Sequence, residues 1–139
     1  GSVDLVYSDQ LMEHLHPDDA VEQLRNIAAT IRQGGAYLCR TPNRLSGPHD
    51  VSGHFVDRAE GFHLREYSLR ELATLFAGVG LTRQRVLVGG VGHYLNWPTW
   101  PVLAFEALLG ALPAILRRGI ARSALGRALL GVRLIGYKP

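Results

Sequence analysis

Two strand-like segments on either side of one amphipathic helix constrain the fold of this chain more than any other feature. Val3–Tyr7 (VDLVY) is a short apolar run typical of a buried strand, and Ala36–Arg40 (AYLCR) is typical of a second one. The residues between them carry apolar side chains at helical spacing, and we expect Gly34 and Gly35 to end that helix. This order indicates two parallel strands joined by a right-handed crossover, and therefore an α/β fold.

The start of the helix is marked by the segment His16–Asp19 (HPDD). Proline suits the first helical position, and the two aspartates suit the positive end of the helix dipole. The buried stripe of the helix is predicted to consist of Ala20, Val21, Leu24, Ile27, Ala28 and Ile31.

Three further elements are predicted downstream. The segment Ser68–Glu71 (SLRE) has the pattern of a capping box, so we expect a helix to begin there and to end at Gly78 or Gly80. Leu81–Val88 is predicted to form a third strand, and Leu134–Tyr137 a fourth. The connection from Thr41 to Glu66 has 26 residues and little periodicity, which favours a functional loop over a passive connector.

The strongly apolar segment Trp97–Leu116 raises the question of a membrane span. Glu106 and three prolines interrupt it, whereas spans need close to twenty clean apolar residues, so we expect no transmembrane span. We predict instead that residues 93–130 form a helical insertion, in the position of a lid over an apolar substrate.

Length and composition limit the class of protein. The chain has 139 residues, of which 47% are hydrophobic, so we expect one globular domain. The net charge of +3 is mild, and the late arginines lack interleaved aromatic side chains, so no nucleic-acid partner is expected. Cys39 is the one cysteine, which excludes an internal disulfide and favours a reducing, cytoplasmic setting.

The polar cluster after the first strand has three interpretations. The first is a metal site, because His14, His16 and Asp18 resemble part of the H-x-H-x-D-H string of metallo-β-lactamase-type hydrolases. The last histidine of that string is replaced by Asp19 in this chain. Asp18 and Asp19 are also explained by the preference for acidic residues in the first turn of a helix, so we expect no metal ligands here. The second interpretation is structural: Glu13 and His14 bond backbone groups at the end of the strand.

The third interpretation is a ligand site, since ligands of open α/β sheets bind beyond the carboxyl ends of the strands. Ser8, Asp9 and Gln10 follow the first strand. The residues that follow the second strand are Thr41, Pro42, Asn43 and Arg44.

The order of these elements resembles a known family. The stretches VDLVYSDQLMEHL, IRQGGAYLCRTPNR, HLREYSLRELATLFAGVGL and LIGYKP together look like the second half of a class I S-adenosylmethionine-dependent methyltransferase. The resemblance implies a partial Rossmann-like fold, with a mixed sheet of two parallel strands and a C-terminal antiparallel pair, flanked by helices. Residues 1–139 would be the C-terminal portion of the domain. The glycine-rich cofactor loop of the family is missing, because Gly89–Gly92 follows a late strand and opens no helix.

The same resemblance implies roles for individual residues. The cofactor is S-adenosyl-L-methionine, and Ser8, Asp9 and Gln10 would line its methionine end. The acceptor, a small molecule or a lipid-like molecule, would be faced by Thr41, Asn43, Arg44 and Tyr67. His63 or His14 would be the base, since histidine titrates near neutrality, although a hydrogen bond that anchors the loop is the simpler use of His63.

An incomplete sheet has a physical consequence. The first strand would be an interior strand without its neighbour, so Val3, Leu5 and Val6 would present an open edge. We therefore expect self-association through residues 3–7, or instability, and no activity of this chain alone. A non-enzymatic binding or assembly module is the alternative function, and a metal-dependent hydrolase is a less favoured one.

Overall fold

The computed structural model describes residues 1–56 and 58–139. In these residues there are five strands and five α-helices. The strands are β1 (Val3–Asp9), β2 (Ile31–Thr41), β3 (Arg83–Gly90), β4 (His93–Pro98) and β5 (Val132–Tyr137). The helices are α1 (Pro17–Thr30), α2 (Leu69–Gly78), α3 (Trp100–Gly110), α4 (Ala114–Arg122) and α5 (Ala124–Leu130). Short 3-10 helices occupy Met12–His14 and Val51–His54.

All five strands belong to one mixed sheet, in the order β1-β2-β5-β3-β4. β1 and β2 are parallel, as the strand-helix-strand pattern predicted. β5, the last strand of the chain, lies antiparallel between β2 and β3, and β4 pairs antiparallel with β3 at the far edge. The predicted α/β class and mixed sheet are therefore confirmed.

The main core lies between one face of the sheet and the helices α1, α2 and α3. On β2, Tyr37 and Cys39 point to this face and are fully buried. The ring of Tyr37 stacks on Phe76 of α2 with the centroids 5.1 Å apart. Side chains of the strands line a groove of about 440 Å³ on the sheet, and these are Leu5, Tyr7, Leu38, Arg40, Leu87, Tyr94 and Arg133.

β1 is less buried than its apolar sequence predicted. It is one of the two edge strands of the sheet, with β2 on one side and no strand of the described chain on the other. Leu5 is 57% exposed and Tyr7 is 55% exposed, and Ser8 is the one buried residue of the strand. The expectation of a buried strand was wrong because a strand is buried only where neighbours cover its edge and both of its faces.

The helix ends predicted from local signals are correct at three of four places. α1 begins at Pro17, and the ring of His16 accepts a hydrogen bond from the amide of Asp18 as its cap. α2 begins after the capping box of Ser68 and Glu71 and ends at Gly78. Gly34 and Gly35 do not end α1, which already stops at Thr30; they lie inside β2.

The predicted helical insertion is wrong for residues 93–98, which form β4. Together with β3 they make a hairpin whose two-residue turn is Val91 and Gly92, with φ of 52° and 82°. Two successive positive φ angles are those of a type I′ turn, for which asparagine and glycine are the usual residues. A valine in the first position concealed the hairpin in the sequence. Residues 100–130 are helical, as predicted, in α3, α4 and α5.

α3 holds most of the apolar segment, and it has 11 residues. No helix among residues 1–56 and 58–139 is both long enough and apolar enough to cross a membrane.

Candidate functional site

Two segments that are distant in the sequence meet beyond the carboxyl end of β1. The backbone carbonyl of Glu13 accepts hydrogen bonds from the amides of Leu64 (2.8 Å) and Arg65 (3.2 Å). These bonds fix the 3-10 helix after β1 against the loop that precedes α2. The side chains that the two segments carry are therefore brought to one place.

His14 and His63, the two predicted candidates for a base, are neighbours in this arrangement. Their rings meet edge to face with the centroids 5.0 Å apart. His63 is 8% exposed, whereas His14 is exposed at the surface. Nδ1 of His14 lies 3.0 Å from the carbonyl oxygen of Phe62, which is the backbone bond that the structural interpretation expected of His14.

Glu13 lies beside the two histidines on the side of the core, and the three residues form one cluster. Its side chain has no exposed surface, and its Oε2 accepts a hydrogen bond of 2.8 Å from the hydroxyl of Thr41. Its Oε1 is buried without a hydrogen-bond partner. One side-chain ligand atom from each of Glu13, His14 and His63 lies within 4.8 Å of the other two.

Two further carboxylates hold the loop around His63. Glu66 Oε1 accepts from the amide of His49 (2.6 Å) and lies 2.9 Å from Nδ1 of His63. Asp50 Oδ2 accepts from the amides of Gly61 (2.9 Å) and His63 (3.2 Å). The Ser52 hydroxyl, helped by backbone amides, lowers the pKa of Asp50 to about 2. The position of His63 is thus set by charge-assisted hydrogen bonds on both its backbone and its ring.

The three residues predicted to bind the cofactor lie at the end of β1, but their side chains do not converge. The hydroxyls of Ser8 and Tyr37 are hydrogen-bonded at 2.7 Å on the core side. Asp9 lies on the other face, where its Oδ2 accepts from Arg40 (2.8 Å) and from the hydroxyl of Tyr7 (3.0 Å). Successive strand residues point to opposite faces, which explains the separation. The next residue, Gln10, is exposed, and its positive φ of 53° turns the chain away from the sheet.

Asn43, a predicted acceptor-binding residue, is committed to structural bonds instead of facing a cavity. It is buried, its Nδ2 donates to Oε1 of Glu106 (2.9 Å), and its Oδ1 accepts from the amide of Leu45 (2.9 Å). Thr41 is buried as well, and its hydroxyl belongs to the Glu13 cluster.

Arg44 and Tyr67, the other two predicted acceptor-binding residues, lie at the entrance to α2. Arg44 is exposed and its Nη1 pairs with Glu71 at 3.3 Å. Tyr67 is buried, its hydroxyl has no hydrogen-bond partner, and burial raises its pKa. Backbone pairing of Asn43 with Tyr67 joins the end of β2 to the start of α2.

A cavity of about 220 Å³ opens beside Glu66. Its lining residues are Arg44, Pro48, Arg58, Ala59, Leu64, Arg65 and Glu66. Arg44 and Arg65 pair with Glu71, and Arg58 pairs with Glu60, so an anionic ligand in this cavity would compete with these carboxylates for the three guanidinium groups.

The H-x-H-x-D pattern does not form a cluster in the described chain. His16 caps α1 and Asp18 lies in its first turn, and both are exposed. The cluster that does form takes one histidine from this segment and adds Glu13 and His63.

The sequence did not indicate the role of Glu106. Glu106 interrupts an apolar helix, and a lone carboxylate in such a setting was the available signal for a buried partner. Glu13 was expected to bond backbone groups, whereas its side chain accepts from the hydroxyl of Thr41 and is buried by contacts with a distant loop.

Comparison with known proteins adds no family. No family model matches the chain, and no curated protein matches it in sequence.

Proposed function

We propose that this chain is the C-terminal part of an S-adenosylmethionine-dependent methyltransferase domain and supplies the acceptor side of its cleft. The observation that carries the proposal is the place of β5. The last strand of the chain inserts antiparallel between β2 and β3, which is where the resemblance in sequence expects the closing strand of the family.

The open edge of β1 supports the second part of the proposal, that another part of the domain completes the sheet. A strand edge with exposed Leu5 and Tyr7 is an unfavourable surface for an isolated domain. In the family topology the cofactor lies in the cleft between the first and fourth strands, and β1 would be the fourth. The covering half would therefore bring the glycine-rich loop next to Asp9 and Gln10.

The proposed chemistry is an in-line displacement at the sulfonium methyl group, for which the protein mainly holds the reacting atoms close and aligned. An acceptor with an anionic group would bind in the cavity lined by Arg44, Arg58 and Arg65. If its nucleophile carries a proton, His63 is the proposed base. The carboxylate of Glu66 orients its ring through Nδ1, which leaves Nε2 to take the proton.

Calorimetry with S-adenosylmethionine tests this proposal. We expect weak binding or none by the 139-residue chain, and binding by the same chain extended by the upstream reading frame of its gene. In the extended protein Asp9→Asn is expected to weaken binding at least tenfold. Asp4→Asn is the matched control, because Asp4 is an exposed aspartate at the other end of β1.

Two results would count against the proposal in different ways. Tight binding by the 139-residue chain alone would refute the need for a second half. No binding by the extended protein would refute the methyltransferase function itself.

A binding or assembly module is the second candidate, and the same open edge and groove favour it. In that case another chain covers β1 without supplying a cofactor site. An upstream reading frame without a glycine-rich G-x-G-x-G segment would favour this candidate, and so would a stable complex that binds no S-adenosylmethionine. The cytoplasmic setting is proposed together with either function.

A further inference from the structure

We infer that Glu13, His14 and His63 bind one divalent transition-metal ion. One ligand atom from each of the three side chains lies within 4.8 Å of the others, which is close enough for a small inward movement to bring them around one ion. Two imidazoles and one carboxylate are a donor set that zinc and iron(II) use, whereas magnesium and calcium prefer oxygen ligands alone.

The hydrogen bonds of the two rings leave the same nitrogen of each ring for a ligand. A backbone carbonyl only accepts, so Nδ1 of His14 must donate to Phe62. Nδ1 of His63 likewise donates to the carboxylate of Glu66. In the neutral rings both lone pairs are then on Nε2. Metal-binding histidines commonly have this arrangement, with the other ring nitrogen bonded to a carbonyl or a carboxylate.

Glu13 gives an independent indication of a missing ligand. Its side chain is fully buried, and its Oε1 has no hydrogen-bond partner while Oε2 is bonded to Thr41. A buried carboxylate oxygen without a partner is costly. A cation between Glu13 and the two rings would satisfy this oxygen.

The site is held in place before any ion arrives. Backbone bonds from Leu64 and Arg65 to the carbonyl of Glu13 join the two ligand-bearing segments, and Asp50 holds the amide of His63. The exposure of His14 leaves a path to solvent on one side. Three protein ligands would leave at least one coordination position for water or a substrate oxygen.

This inference does not depend on the proposed methyl transfer, because it concerns the binding of an ion by the chain itself. If both hold, an ion on Nε2 of both rings excludes them as bases. The ion would then act on the nucleophile of the acceptor as a Lewis acid in their place.

Metal titration of the chain tests the inference directly. After removal of metals with a chelator, we expect calorimetry to show one Zn²⁺ per chain, with Mg²⁺ bound at least tenfold more weakly. Glu13→Gln and His14→Ala should each abolish stoichiometric Zn²⁺ binding. Glu66→Gln, which loosens the ring of His63, should lower the affinity about 10- to 100-fold. Bound Co²⁺ gives a visible absorption spectrum that reports nitrogen ligands in the same variants.

His54→Ala is the matched control, since His54 is an exposed imidazole at the end of the second 3-10 helix and outside the cluster, and the variant should bind Zn²⁺ like the unmodified chain. Circular dichroism identifies any variant that fails to fold. Because His14 is at the surface, His14→Ala is expected to fold even if Glu13→Gln does not. No Zn²⁺ binding by the unmodified chain would overturn the inference, and so would equal binding by a folded His14→Ala variant.

Discussion

Cys39 shows how burial changes the chemistry of a single residue. The thiol lies on the core face of β2 with no exposed surface, and desolvation raises its pKa from 9.0 to about 11. A thiolate would have to stay in a low-dielectric core without a counter-charge, so the folded chain keeps the thiol neutral.

We predict an alkaline loss of stability that depends on Cys39. The stabilising effect of the neutral thiol is fully present below pH 9, and it falls as the pH rises toward about 11, because the unfolded thiol ionises first. The loss is on the order of 3 kcal/mol over this window. Urea unfolding at several pH values measures it.

Cys39→Ala is the comparison for this prediction. We expect this variant to be less stable at neutral pH, because it leaves a small cavity, but to lose less stability above pH 9. Burial raises the pKa of the nearby Tyr37, and Cys39 raises it further, so the difference between the two proteins reports the thiol together with its coupling to Tyr37. An identical pH dependence would contradict the assignment.

At the scale of the elements, Glu106 connects two helices that the sequence treats separately. Its carboxylate, on α3, accepts from the amides of Leu69 (2.7 Å) and Arg70 (3.0 Å) at the start of α2. The negative charge meets the positive end of the α2 dipole, and the same carboxylate accepts from Asn43. The buried carboxylate of Glu106 thus accepts from two free amides in the first turn of α2, and it holds Asn43, which follows β2, in place.

We predict that Glu106→Gln lowers the free energy of unfolding by about 2–3 kcal/mol, since hydrogen bonds to a charged acceptor are replaced by an amide with one oxygen. Denaturant unfolding checks this value. Glu22→Gln on the exposed face of α1 is the matched control and should change stability by less than about 0.5 kcal/mol. A similar loss in both variants would show that the Glu106 bonds are not the cause.

At the scale of the whole molecule, the sheet of the described residues has two open edges. β4 forms one of them, and β1, with unpaired backbone groups along its outer side, forms the other. Such an edge pairs with another strand when one is available.

We predict that the 139-residue chain associates with itself in a concentration-dependent way, measured by sedimentation velocity. Leu5→Lys places a charge on the open strand and should shift the population toward monomer. Leu125→Lys, at another exposed leucine on α5, is the control and should leave association unchanged. A concentration-independent monomer of the unmodified chain would contradict this prediction.

The local sequence determined the elements that depend on neighbouring residues. The parallel β1-α1-β2 unit, the start of α1 at Pro17 and the capping box of α2 were all predictable. Periodicity and caps act within one or two turns, so a short window contains the whole cause. The hairpin at Val91 was not predicted, because its turn places a valine at a positive φ angle, where the local sequence signal is normally asparagine or glycine.

The tertiary structure alone decided which distant side chains meet. His14 was a candidate base and His63 was another, but nothing in their spacing indicated that the rings touch or that Glu13 lies buried beside them. It also decided that Glu106 accepts hydrogen bonds from the first turn of α2. These facts depend on contacts between residues that are far apart in the sequence. The burial of a side chain and the identity of its hydrogen-bond partners are set by the folded structure, whereas helix and strand signals are set by neighbouring residues.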